Sequence, residues 1–153
     1  MANSSLPTNV TAGTPDLPGM LNTTHGEVNE LSRSTGLRDI TDLLMNGWTA
    51  TRVLILRERN WVHLMPRGLD GSAATSNRIF EFGTEAGQIP VGFKPINYSF
   101  EEMLRAADGS TTFIRADANS ILGQTGVNVG GYTRTVSWYC PVSWPATLPG
   151  TAV

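Results

Sequence analysis

The sequence predicts a mainly β protein: a small antiparallel β-sandwich, jelly-roll-like, carried behind a short N-terminal helix. Three observations lead there. β-branched and aromatic residues recur in short runs, and the runs are separated by Gly, Asn, Asp and Ser, the residues that tight turns consume. Long helical patterns do not alternate with these runs, which disfavours an α/β architecture. The hydrophobic period also changes near Trp48, from a helical spacing before it to strand-like runs after it.

Residues 1–15 are polar and contain Pro7, Gly13 and Pro15, so they read as an extended arm that orders only against a partner. Residues 16–33 can form a helix, with Asp16 as N-cap and Pro18 tolerated in the first turn. Leu17, Leu21, Thr24, Val28 and Leu31 then fall at alternating spacings of four and three, a seam of coiled-coil type. A seam this short is marginal alone. It can pack on its own domain or self-associate, and a homotrimer is the expected use. Gly36 ends the helical region, and Leu37–Met45 reads either as a second helical turn or as an extended linker. Asn46-Gly47 marks a turn. Residues 16–48 are thus expected to be a helical attachment and oligomerisation segment, and 49–153 a β-sandwich domain with an extended C-terminal tail.

Within that domain, Arg52–Arg57 and Trp61–Met65 read as two strands joined by a hairpin at Glu58-Arg59-Asn60. Arg67–Asn77 reads as a loop, and Arg78–Phe82 as a strand. Ile96–Phe100 is a strand candidate, although Glu101–Ala107 has helical propensity. Asp108-Gly109 supplies a hairpin turn. Thr111–Arg115 and Ser120–Leu122 pair around Asp117-Ala118-Asn119. Val127–Val129 alternates, and Tyr132–Tyr139 is the longest β run. Pro141, Pro145, Pro149 and Gly150 make the tail extended.

Composition narrows the function. The chain has 153 residues, 40% of them hydrophobic and 16% charged, with a formal net charge of −2. That is a globular composition. No run of Lys and Arg exists to displace counterions, so neither nucleic acid nor an anionic membrane surface is an expected partner. No apolar stretch has the length of a membrane span, and the polar start lacks the pattern of a secretory signal. Asn3, Asn9, Asn22 and Asn97 lie in N-x-S/T triplets, which have no meaning without secretion. Cys140 is the single cysteine, which excludes an internal disulfide and a cysteine-based metal site.

A search for chemistry finds parts without a constellation, and no enzyme is expected. No serine sits in G-x-S-x-G. His25 falls in the helical seam region and His63 within a strand, where a histidine is ordinarily a packed or surface residue. Cys140 has no adjacent cation to activate it and reads as a small buried hydrophobe. Glu101-Glu102 are neighbours whose side chains diverge, so they are not a glycosidase pair. Asp39 and Asp42 lack a third ligand, and no metal or cofactor motif is present. Gly123, Gly126, Gly130 and Gly131 read as turn glycines, because no Lys-Ser/Thr follows them. Trp48, Trp61, Trp138 and Trp144 are expected to be mostly core. Exposed examples could stack on sugar rings, and Trp61 and Trp144 are the candidate surface-binding aromatics.

Several stretches taken in order carry a family resemblance: Pro18–His25 with Val28-Asn29, then Gly36–Leu44 with Asn46-Gly47-Trp48, then Ile89-Pro90-Val91-Gly92-Phe93-Lys94-Pro95. Together they resemble minor tail and fibre-like virion proteins of phages infecting actinobacteria, and are similar also to capsid decoration or head-fibre proteins. In that family an L-P-x-G-F-R-P turn links two strands; here Ile89 replaces Leu and Lys94 replaces Arg. The resemblance spans most of residues 16–140. It implies a virion structural protein assembled in the host cytoplasm, a homotrimer that contacts other tail or capsid proteins and presents a β surface that could meet a host cell-wall polymer. Physically, Pro90 sets the chain direction, Gly92 permits a sharp bend, and Phe93 can plug the end of a sandwich.

Overall fold

A computed structural model describes residues 33–95, 100–105, 108–109, 111–130 and 135–153. The described strands are β1 (Arg38–Asp39), β2 (Arg52–Glu58), β3 (Trp61–Arg67), β4 (Leu69–Asp70), β5 (Arg78–Gly83), β6 (Ile89–Pro90), β7 (Phe100–Arg105), β8 (Thr111–Ala116), β9 (Ser120–Gly123), β10 (Asn128–Gly130), β11 (Val136–Tyr139) and β12 (Thr151–Ala152). The described helical elements are the 3₁₀ turns Thr41–Leu43 and Val91–Phe93. The protein is mainly β, as expected.

Strands β11-β3-β2-β1-β12 form one five-stranded sheet, and β6-β5-β9-β8-β7 form a second; β4 and β10 make a small ribbon. In β2, Val53, Ile55 and Arg57 are buried while their neighbours are not, and β3 repeats the alternation with Val62 and Leu64. β8 does the same with Thr112, Ile114 and Ala116. Period two therefore assigns each strand a core face. Side chains from both sheets share one hydrophobic cluster, which includes Val53, Ile55, Val62, Leu64 and Trp138 from the first and Phe80, Phe82, Ile114 and Ile121 from the second. Phe82 and Trp138 meet edge to face with centroids 6.4 Å apart. Each large apolar side chain buried this way contributes about 1.5–3 kcal/mol relative to exposure.

Local turn chemistry sets the hairpins. β2 and β3 pair from Arg52↔Arg67 to Glu58↔Trp61, leaving Arg59-Asn60 as the loop, with Arg59 at φ 53°. β7, β8 and β9 form a meander. In its second turn Asp117 Oδ1 accepts from the backbone N–H groups of Asn119 and Ser120, both at 2.9 Å. Asn46 and Gly47 have φ of 55° and 79°, as a turn there requires.

The structure departs from the expectations in several places. Strands adjacent in sequence pair within one sheet, as β2–β3 and β7–β8–β9 do, rather than interleaving between sheets in the jelly-roll manner. The sheets are also not wholly antiparallel: β5 and β6 are parallel, with Phe82 opposite Ile89. Trp48 is not a domain boundary. The folded unit begins at Ser34, Arg38 pairs with both Ile55 and Ala152, and Ile40 and Trp48 are core residues. A two-residue strand that pairs across a long loop leaves no periodic trace. Leu37–Met45 is accordingly neither helix nor linker, but a strand followed by a 3₁₀ turn.

Other differences are smaller. The Arg67–Asn77 loop contains β4. The β3 strand runs on through Pro66, which lies beyond Leu64, the last β3 residue paired to β11; a missing N–H costs least there. Glu101–Arg105 is strand rather than helix, because pairing to β8 and burial of Leu104 override local propensity. Gly123 is not a turn glycine but part of β9; a Cβ there would stand 2.8 Å from the Trp48 ring and 2.9 Å from Ile79. The extended arm (1–15), the helix (16–33) apart from Arg33, its seam residues Leu17, Leu21, Thr24, Val28 and Leu31, His25, and the first part of the Tyr132–Tyr139 run lie outside the described residues.

Candidate functional site

Two places concentrate side chains whose arrangement goes beyond packing. The first is the outward face of the β11-β3-β2 sheet. The odd-numbered residues of β3 point away from the core, because Val62 and Leu64 point into it. Register then builds rows across the strands. Tyr139, Trp61 and Glu58 form one row, and Ser137, His63 and Leu56 form the next. Met65 and Leu54 follow, and Arg67 and Arg52 close the face. Trp61 is 50% exposed and Tyr139 52%. Their rings meet edge to face, 5.8 Å apart at 69°, so each ring holds the other's orientation while keeping surface open to solvent. Directly beside them, His63 Nδ1 and Ser137 Oγ are hydrogen-bonded at 2.8 Å. The face thus offers an oriented aromatic platform next to a polar pair.

The second place is the C-terminal strap over the end of the first sheet. Arg57 lies on the core-facing parity of β2 and is only 2% exposed. Its guanidinium donates to backbone carbonyls from three segments. Nε reaches Arg59 O at 2.8 Å. One terminal nitrogen reaches Ser143 O at 3.2 Å and also Gly92 O. The other reaches Cys140 O at 3.1 Å and Val142 O at 2.8 Å. The guanidinium lies over Trp144, with Cζ 4.8 Å from the ring centroid. Carbonyl dipoles and a ring face thus solvate a buried cation. Gly92 lies against the strap so closely that a Cβ would stand 2.7 Å from Pro145 N. Phe93 is fully buried, as a plug should be, and its carbonyl accepts from Trp138 Nε1 at 2.7 Å.

Trp61 is therefore the surface aromatic the sequence suggests, but Trp144 is not: it is half-buried and occupied with Arg57. Trp48 and Trp138 are core. Tyr139 was missed. It shares the outward parity of Ser137, and the alternation in Val136–Tyr139 carried that information. Arg57 was missed for a similar reason: it continues the inward series Val53, Ile55.

The remaining candidates resolve plainly. Cys140 is fully buried and donates from Sγ to Gly92 O at 3.1 Å. Burial pushes its thiol pKa up, against the opposing field of Arg57. Glu101 is exposed and Glu102 half-buried, on opposite faces of β7. Asp39 is paired with Arg52 at 2.9 Å and hydrogen-bonded to Thr41. Among the described residues there is no group of three His, Cys, Asp or Glu side chains able to hold a metal, and His63 makes no hydrogen bond to a carboxylate. No described helix is long and apolar enough to cross a membrane. A shallow cleft of about 290 Å³ lies between the β5–β6 connection and the tail, lined by Gly83, Gln88, Pro90, Leu148 and Pro149 among others. It holds no cluster of reactive groups.

Comparison with protein-family models, with curated proteins and with solved structures yields no match.

Proposed function

We propose that the chain is a non-enzymatic structural protein of a bacteriophage particle, a minor tail or fibre-like protein that presents a sandwich-like β domain as its working surface. The observation that carries this reading is the outward Trp61–Tyr139 pair beside His63 and Ser137. Half-exposed rings held in a fixed orientation suit stacking on sugar rings, and the adjacent polar pair suits hydroxyl groups. A host cell-wall polymer is the partner such a surface would meet. The ordered motifs that resemble phage tail proteins supply the particle context. Residues 16–33 would form the attachment helix, trimerising through Leu17, Leu21, Thr24, Val28 and Leu31 and contacting neighbouring virion proteins. Assembly would take place in the host cytoplasm. The alternative, a capsid decoration or head-fibre protein, shares the same domain and differs in location.

Antibody labelling of intact particles from the phage that encodes the chain, viewed by electron microscopy, tests the proposal. Label at the tail tip is the expected result. Label spread over the head means a decoration protein. Particles free of label overturn both. The double variant Trp61→Ala/Tyr139→Ala should lose binding to host cell walls while remaining folded; retained binding removes the platform from the account.

A further inference from the structure

Strand β7 ends its sheet, with β8 on one side and no described strand on the other. An edge of six residues is a template for another strand unless something blocks it. Its outward-facing residues are Glu101, Met103 and Arg105, opposite Arg115, Phe113 and Thr111 of β8. Met103 is 55% exposed, the most exposed of the large internal hydrophobics along the described strands. Glu101 and Arg105 are exposed, and neither makes an ion pair among the described residues.

The order Glu101, Met103, Arg105 is self-complementary. When two antiparallel copies of this strand meet about a two-fold axis at Met103, Glu101 of each copy faces Arg105 of the other. Met103 then faces its own equivalent. The apolar row runs Phe113, Met103, Met103, Phe113 through both copies. It is flanked on each side by a row in which Arg115, Glu101 and Arg105 alternate in sign. Opposite charges directly across strands are favourable and like charges are not. Any other in-plane register loses the central apolar contact, the charge match or both. A two-fold contact of this kind is isologous, the commonest type between identical chains.

We infer that β7 is an interaction edge whose partner is β7 of a second copy of this chain, joining two sheets into one continuous sheet. The inference does not rest on the virion reading or on the N-terminal seam. An interface built on one strand is of the weak class, so it is measured at high protein concentration or within an assembly already held together elsewhere.

Sedimentation equilibrium on the full chain provides the test. The wild type should reach twice the mass of the Glu101→Arg variant if the smaller unit is a monomer, and at least twice if it is a trimer, which carries three such edges. Glu101→Arg and Arg105→Glu should each weaken the pairing by about tenfold or more, since two charge rows change from attraction to repulsion. The double variant Glu101→Arg/Arg105→Glu should restore it. Position 101 also faces Arg115 within the chain, so circular dichroism checks that each variant is folded. Met103→Cys gives an independent reading: mild oxidation should crosslink two chains through position 103, whereas Thr111→Cys should not. Wild type of unchanged mass at all concentrations, single reversals without effect, or failure of Met103→Cys to crosslink would each overturn the inference.

Discussion

The Arg57 guanidinium sits 4.8 Å from the centre of the Trp144 ring, with the backbone carbonyls of Gly92, Cys140, Val142 and Ser143 gathered around its edge. One cation on β2 thereby anchors residues 140–144, the start of the strap that follows β11. Removing it leaves several buried carbonyls without that donor. Arg57→Met should destabilise by about 3 kcal/mol or more, measured as a lower urea midpoint. Arg57→Lys should recover little, because a single ammonium cannot reproduce the planar fork. Trp144→Ala should cost less, about 1–2 kcal/mol, since it removes the ring face but leaves the hydrogen bonds.

Gly92→Ala addresses the other side of the same contact. The added methyl meets Pro145 N at 2.7 Å, and backbone cannot rotate away as a side chain can. The expected loss is about 1–3 kcal/mol in the same denaturation assay. Gly87→Ala is the control for volume alone, since a Cβ there meets nothing within 4 Å; its φ of 85° still imposes a backbone cost of about 1 kcal/mol.

The thiol of Cys140 should be inert in the folded protein and react with an alkylating reagent only after denaturation. It is fully buried, and burial raises its pKa. The linkage follows in sign. An acid whose folded pKa is raised keeps its proton in the folded state while the unfolded chain loses one. Stability therefore falls as pH rises through the alkaline range above the ordinary thiol pKa. Cys140→Ala should flatten that alkaline decline, read as the urea midpoint against pH.

Asp39 has the opposite sign. Hydrogen bonds from Thr41, and then the neighbouring Arg52, hold its carboxyl below the usual carboxylate range. Its contribution is present above the ordinary carboxylate pKa and is lost as pH falls through the lowered value. The pair is partly exposed, so Asp39→Asn should cost under about 1 kcal/mol at neutral pH. The variant and wild type should converge in acid; a constant gap at all pH values would rule out the charge as the cause.

Much of the β framework was legible because strand signals are local. The apolar run Val53–Leu56 reads as a strand whatever lies opposite it, and Asp108-Gly109 and Asp117-Ala118-Asn119 announce turns by their own chemistry. The Arg52–Arg57 and Trp61–Met65 hairpin and the Thr111–Leu122 hairpin followed from such signals. Trp61 could be nominated as a surface aromatic, since it opens a strand next to a polar turn. Trp144 looked equally free, because its partner Arg57 is distant in the chain.

The sequence by itself determined a mainly β chain and the positions of its tight turns, and it carries no metal or nucleophile motif, all properties of neighbouring residues. Tertiary structure alone decided which strands share a sheet, that Ser34–Trp48 belongs to the folded unit, and that Tyr139 meets Trp61. It also decided that Arg57 is solvated by carbonyls as far as 86 residues along the chain. The reason is physical: period and turn preference come from backbone sterics within a few residues, whereas strand order and a buried cation's partners are set by which distant surfaces bury the most apolar area without stranding a polar group.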